Sequence, residues 1–399
     1  MIVCDLVNAS SPVNNGGDIY LAQRRKFVEA QEGRIRLLQI LPADADGEVR
    51  GRHVRQVFLR GRPAPTDPCF QYLTQIRRAA AILRAERPDV IETVGPHYVS
   101  WVARAARPRT PLVGSYLVDL PAYFESVAPA RWRPWVRRLR PLVWAGTKLL
   151  YRPCDAVVAI SPALGKRLRR GGMRRVATIP WGVDADLFHP DRRDAAQRAA
   201  WDAGPDKTVL LYVGRSAPEK ELPVLFEAFR RLAAGGGYRL VLLGDGEGRA
   251  AVEALAATAP GVTYAGYLGH GEALARAYAS ADVFVTPGGN ETLGLTAIEA
   301  LASGVPVVGV RRGAIQSVVT DEVGALAPPG DPAGFAAAVE AVRARGPATL
   351  GAAARRRAVN CFSWAATFDR TFTLYQRLLA ARRQAPAPHG APVPDRFHS

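Results

Sequence analysis

Short apolar, β-branched runs alternate along most of the 399-residue chain with longer stretches whose apolar residues recur every three or four positions. Parallel strands need a crossover, usually a helix, so this rhythm predicts parallel α/β units. In the first half, strands are expected at IVCDLV, RIRLLQI, VRQVFL, DVIETV, PLVGSYL, AVVAI and VATIP. CFQYLTQIRRAAAILRAERP reads as one of the helices between them. The rhythm then restarts. TVLLYVG, YRLVLLG, VTYAG, DVFVTP and VPVVGV read as strands, and ELPVLFEAFRRLAA, EGRAAVEALAATA, GEALARAYASA and LGLTAIEALASG as helices. No short repeat is visible, so the pattern predicts two Rossmann-like sheets rather than an array.

The seam between them is PWGVDADLFHPDRRDAAQRAAWDAGPDKT, residues 180–208, turn-rich and polar, which places a linker near 181–205. The final RQAPAPHGAPVPDRFHS is Pro-rich and lacks periodicity, so residues 384–399 are expected to form a disordered tail. A hydrophobic content of 48% with 22% charged residues is that of a globular chain, and no apolar run reaches the length of a spanning helix. MIVCDLVNAS has neither a basic n-region nor a small-residue cleavage site and is not expected to be a signal peptide. Cys4, Cys69, Cys154 and Cys361 form no metal or disulfide pattern, which fits reduced thiols in the cytoplasm.

Charge changes the picture of the first half. Residues 1–180 carry 30 Lys and Arg against 14 Asp and Glu, so nearly all of the net +17 lies there. Such an excess expects an extended anionic partner, a membrane surface or a nucleic acid. No nucleic-acid-binding motif accompanies it, so none is expected to bind.

Two stretches carry candidate chemistry. In LLYVGRSAPEKELPVLFEAF, Arg215 follows a strand and a glycine, and Lys220 stands at a helix entrance. Ligands of open α/β sheets sit at strand carboxyl ends beside helix N-termini, where free N–H groups favour anions. Arg215 and Lys220 could clamp a diphosphate there; equally, Lys220 could be a solvated charge and Arg215 could pair with a nearby acid. In NETLGLTAIEALASGVPVV, Glu291 falls in a loop after a strand, and Glu299 falls within the helix that Gly294 introduces. Amides at that entrance could receive phosphate oxygens, and the carboxylates could accept hydrogen bonds from sugar hydroxyls. The plain alternative is a capped helix with one exposed glutamate. GDGEG, with Gly244 and Gly246, reads as a tight strand–helix turn.

These segments resemble family-4 retaining glycosyltransferases, whose E-x7-E signature NETLGLTAIEALASGVPVV matches. YVGRSAPEKELPVLFEAF, AVVAISPALGKRL, IPWGVDADLF and VNNGGDIYLAQRR extend the likeness over nearly the whole chain, with bacterial lipid-directed mannosyl- and glucosyltransferases as the nearer resemblance. The resemblance implies the GT-B fold: α/β, two Rossmann-like domains facing a central cleft. Residues 1–185 would bind the acceptor and 186–361 the nucleotide sugar, with a C-terminal helix at about 362–383 packing back on the first domain. It implies that Arg215, Lys220 and Glu291 are the catalytic set, the first two on the diphosphate and Glu291 on the sugar hydroxyls. Thr292, Leu293, Gly294 and Leu295 would line the donor, Glu299 the ribose, Gly16 and Gly17 the diphosphate or acceptor, and Tyr267 and Leu268 the base. Many relatives carry a histidine where GSYLVDLPAYF has Leu117, while Asp119 is retained; His97 is an alternative sugar contact, or a surface histidine. No cofactor and no metal are expected, basic groups and helix N-termini supplying the positive charge. The implied activity is metal-independent hexosyl transfer from GDP-mannose or UDP-glucose to a membrane lipid or glycolipid. Epimerisation, phosphorolysis and transfer to a soluble or polysaccharide acceptor are the other activities open to the fold.

RWRPWVRRLRPLVWAGTKLLYR, from Arg131 to Arg152, holds seven basic residues with Trp132, Trp135 and Trp144. Trp132, Trp135, Val136, Leu139, Leu142 and Val143 follow helical spacing, the composition of an interfacial anchor. Pro134 and Pro141 predict two short helices rather than one. A peripheral place on the inner face of the plasma membrane follows; a core-packed helix with a solvated basic face is the alternative.

Overall fold

The computed structural model describes residues 1–11, 16–31, 33–63, 70–95 and 98–384, so His97, Cys69 and the Pro-rich tail beyond Gln384 lie outside the described residues. Each expected strand forms, and the strands assemble into two parallel sheets. In the first, the spatial order is Val176–Thr178, Ala156–Ala159, Leu112–Tyr116, Val90–Val94, Ile2–Val7, Arg36–Ala43 and Val54–Arg60. A further edge strand, Gly47–Arg50, joins antiparallel. In the second, the order is Val262–Tyr264, Tyr238–Leu243, Thr208–Val213, Val283–Val285, Val307–Val310 and Gly324–Ala327. Both sheets therefore start in the middle, run to one edge, and return to continue on the other side of the first strand. That reversal defines a crevice at the strand carboxyl ends where ligands of such sheets bind.

Two elements depart from the sequence pattern. The helix expected over CFQYLTQIRRAAAILRAERP begins only at Ile76, because Gln71–Tyr72 pairs with Ala9–Ser10 and Arg62–Pro63 in a small antiparallel sheet. Gly324–Ala327 (GALA) carries no β-branched residue and so gave no strand signal, yet it completes the second sheet beside Val307–Val310.

The chain crosses between the domains twice, at one place. Val183 N–H donates to Phe362 O at 2.8 Å, and Val183 bridges Ser363. From Pro190 onward the segment read as a linker folds onto the second domain: Arg193 and Arg198 both pair with Asp282, at 2.7 and 2.9 Å. The last helix, Trp364–Gln384, lies on the first domain. There Arg24, fully buried, pairs with Asp5 at 2.7 Å and Glu92 at 2.8 Å, and donates to the Tyr375 hydroxyl at 2.5 Å. Tyr375 in turn donates to Glu92. Phe27 packs against Phe368 and Phe372 at the same contact.

Candidate active site

The reversal in the second sheet lies between Thr208–Val213 and Val283–Val285. The loop leaving the first of these strands carries Arg215 and Lys220, and the loop leaving the other carries Glu291. They meet: Lys220 Nζ lies 2.5 Å from Glu291 Oε1, each side chain about one-fifth exposed. Bare backbone allows the approach, since a Cβ at Gly288 would stand 2.9 Å from Glu219 O and Lys220 Cα. Past Glu291, Gly294 opens the helix Leu295–Ala302 at φ +86°, a left-handed conformation that glycine adopts without cost. Its carbonyl accepts from the Ala297 and Ile298 amides, while the amides of Thr292 to Thr296 have no acceptor among the described residues. A row of free N–H groups at a helix entrance, one lysine beside it, is an anion site in form.

Arg215 stands apart from Lys220. Its guanidinium is largely exposed and lies 2.7 Å from Glu219, so it and Lys220 do not form one clamp; each holds a carboxylate of its own. An i,i+4 partner is the nearest counter-charge for an exposed arginine. The GDGEG stretch is more than a tight turn. Ser216 N–H donates to Asp245 O at 2.9 Å and Gly248 N–H to Ser216 O at 2.6 Å, so it braces the loop that bears Arg215.

Glu299 is held within the second domain. It is 6% exposed, accepts from the Tyr278 hydroxyl at 2.9 Å, and has His270 Nε2 at 3.4 Å. Every residue from Ala297 to Ala302 is buried, so the helix has no solvent face on which a free carboxylate could sit. Tyr267 is exposed and Leu268 packs against the core; both stand on the loop after the edge strand Val262–Tyr264.

The first domain closes the site from the other side. A Cβ at Gly16, the first residue of helix Gly16–Glu29, would meet Leu295 Cδ1 at 3.1 Å, so the two helix entrances touch. Gly17 follows in the same turn. Ser161 caps the helix Pro162–Arg170 by accepting from Leu164 N–H at 3.2 Å, and its hydroxyl donates to Thr292 O at 2.6 Å. Asp119, at the entrance of helix Leu120–Val127, is 8% exposed and pairs with Arg167 at 2.6 Å, with the Ala122 amide also favouring its carboxylate form. Burial pushes the Asp119 carboxyl above its usual range, with Arg167 pulling the other way. Leu117 is half-buried and packs against the core, and His97 lies outside the described residues.

Between these walls lies a cleft of about 910 Å³, lined by Asp119 and Leu164 on one side and by Asn290, Glu291 and Thr292 on the other. Sequence reasoning missed Ser161, Arg167 and the cations behind them. Their signal was present in the i, i+4, i+8 spacing of Arg140, Trp144 and Lys148, all of which face the cleft. Among the described residues, no group of three or more His, Cys, Asp or Glu could hold a metal ion.

Residues 19–187 match the family model described as Glycosyltransferase Family 4, and residues 207–344 the one described as Glycosyl transferases group 1. A D-inositol 3-phosphate glycosyltransferase of Geodermatophilus obscurus is 35% identical over 334 residues, 77% of this chain and 72% of that protein. A GDP-mannose-dependent alpha-mannosyltransferase of Mycobacterium tuberculosis is 36% identical over 64% of each chain. The matches span only about half the length of other relatives. Among solved structures, a sucrose-phosphate synthase from Thermosynechococcus elongatus superposes with a TM-score of 0.77 at 25% identity, over 96% of this chain and 100% of that one. Motifs, paired sheets and relatives agree: the chain belongs to the family-4 glycosyltransferases of the GT-B fold.

Proposed function

We propose that this protein is a retaining hexosyltransferase that takes its sugar from a nucleotide diphosphate donor of the GDP-mannose or UDP-glucose type. One observation carries the reading: Lys220 meets Glu291 at the sheet reversal, the amides of Thr292 to Thr296 beside them have no acceptor among the described residues, and Glu291 and Thr292 face Asp119 across one cleft. In the reaction, the bond from C1 of the sugar to the diphosphate oxygen breaks and a bond to the acceptor oxygen forms on the same face. The acceptor's proton passes to the leaving diphosphate. That diphosphate gains negative charge as the bond breaks, so Lys220 and the amide row lower the barrier by holding it more tightly in the transition state than before. Arg215 adds charge by exchanging Glu219 for phosphate, and Glu291 orients the sugar hydroxyls. Positive side chains and amides do the work a metal does elsewhere, and no cofactor takes part. Relatives named as mannosyltransferases dependent on GDP-mannose support a mannosyl donor.

The acceptor in this reading is a membrane lipid or glycolipid, reached from the cytoplasmic face. Arg133–Arg138 and Arg140–Tyr151 form the two short helices that the prolines imply. Trp132 just before the first helix, Trp135 on it and Leu142 on the second are 52%, 56% and 67% exposed, which is the opposite of a core-packed face. Basic residues around an uncovered apolar stripe suit an anionic leaflet, each cation contributing about 1 kcal/mol.

The test is a transfer assay with radiolabelled nucleotide sugars and lipid extract. The wild type should label lipid, and Lys220→Ala and Glu291→Ala should each lose activity about 100-fold or more while remaining folded. Full activity in both variants contradicts the assigned roles. Epimerised donor without acceptor, or sugar phosphate released by inorganic phosphate, identifies the other activities.

A further inference from the structure

Three loops leave neighbouring strands of the second sheet and interlock on bare backbone. The first, after Thr208–Val213, carries Lys220; the second, after Val283–Val285, carries Glu291; the third, after Val307–Val310, carries Arg312. A Cβ at Gly313, which sits at φ +74°, would overlap Gly289 O and stand 3.4 Å from Glu291 O. Beside it the Ala314 amide donates to Glu291 O at 3.2 Å. Arg312 runs across Gly289, where a Cβ would stand 2.9 Å from Arg312 Cβ and overlap its Nε. Its guanidinium then reaches the first loop and donates to Glu221 Oε1. One side chain thus spans all three loops.

The residue it reaches is strained. Glu221 stands at φ +51° and ψ +36°, between the single turn Pro218–Lys220 and helix Leu222–Ala233. Of the four non-glycine residues at positive φ among the described residues, it is the one beside Lys220 and Glu291. A residue with a Cβ holds this left-handed conformation only where its surroundings impose it. Arg312 supplies that constraint. Gly313 and Ala314 line the cleft and Arg312 does not, so its part is not to touch a ligand there. The consequence falls on Lys220, whose backbone is pinned between Gly288 on one side and Glu221 on the other. Were Glu221 to relax, Lys220 would leave Gly288 and its ammonium would leave Glu291.

We propose that Arg312 is a positioning residue: it clasps Glu221 in the left-handed conformation and thereby fixes Lys220 where a diphosphate binds. The word diphosphate rests on the reading of the site given above; the clasp does not.

Titration calorimetry on the full chain with UDP, GDP and their nucleosides tests the first part. Arg312→Gln should stay folded, because a partly exposed ion pair contributes little to global stability. It should lower the preference for diphosphate over nucleoside about tenfold, the size of a backbone strain left unopposed. In a Lys220→Ala background the same exchange should change nothing more. Glu221→Gly added to Arg312→Gln should restore most of the preference, because glycine takes the left-handed conformation unaided. A loss that persists in the glycine variant overturns the proposal, as does one that adds in full to that of Lys220→Ala; Arg312 would then act on the ligand or on the fold at large. Hydrogen exchange without ligand reads the clasp by itself. The Lys220 and Glu221 amides, which donate to Ala217 O and Pro218 O at 2.9 and 3.2 Å, should exchange about tenfold faster in Arg312→Gln. Unchanged exchange also overturns the proposal. Faster exchange, in a protein whose wild type shows no preference for diphosphate, would instead sink the donor reading and leave the clasp standing.

Discussion

Asp119 shows how one residue can carry opposite demands. Burial favours its neutral form, and Arg167 at 2.6 Å favours its carboxylate. If the carboxylate receives the acceptor's hydroxyl, removing Arg167 lifts the Asp119 pKa further, and the acidic edge of the activity profile moves to higher pH. Rates of transfer against pH for wild type and Arg167→Gln measure this; an unmoved acidic edge contradicts it. Gly294 poses a simpler constraint. At φ +86° an alanine costs about 1–2 kcal/mol and disturbs the amide row it introduces. Gly294→Ala should therefore unfold at lower temperature and bind nucleoside diphosphates more weakly, checked by thermal melts with and without UDP and GDP. Glu291 could be placed from sequence because strand, loop and helix entrance follow one another within a dozen residues. Glu299 could not. Its carboxylate is engaged by Tyr278 and His270, which lie 21 and 29 residues earlier, and no local pattern announces such a partnership.

At the scale of elements, the strands were legible because parallel strands buried on both faces read as continuous apolar runs. Their order was not, since pairing between Ile2–Val7 and Val90–Val94 joins segments nearly ninety residues apart. Prolines 134 and 141 revealed two short helices, but only the fold shows which face each presents. One face of Arg140–Tyr151 lines the cleft while Leu142 and Leu149 remain exposed on another. The two faces make separable predictions. Trp132→Ala with Trp135→Ala should reduce flotation with vesicles containing anionic lipid by about tenfold, each tryptophan contributing buried apolar area at the interface. The same double variant should leave binding of UDP and GDP unaltered. Undiminished flotation would remove these helices as the membrane contact.

The whole molecule is held by the crossover at Val183 and Phe362 and by the buried ion network under the last helix. Asp5, Arg24 and Glu92 come from a strand, a helix and a second strand, and Tyr375 from the far end of the chain adds a hydroxyl. Breaking such a network leaves charges stranded in the core. Arg24→Met should cost about 3–5 kcal/mol, by abandoning two buried carboxylates. Tyr375→Phe should cost about 1–3 kcal/mol and loosen the last helix from the first domain. Denaturant unfolding gives both values, and a neutral Arg24→Met would show that the network is dispensable.

The central claim is that the reversal in the second sheet grips a diphosphate. Calorimetric titration of the wild type and Lys220→Ala with guanosine, GDP, uridine and UDP tests it most directly. The account predicts that one diphosphate binds the wild type far more tightly than its own nucleoside, and that Lys220→Ala loses most of that difference. Equal affinities for nucleoside and diphosphate in the wild type, or a difference that survives without Lys220, would contradict it.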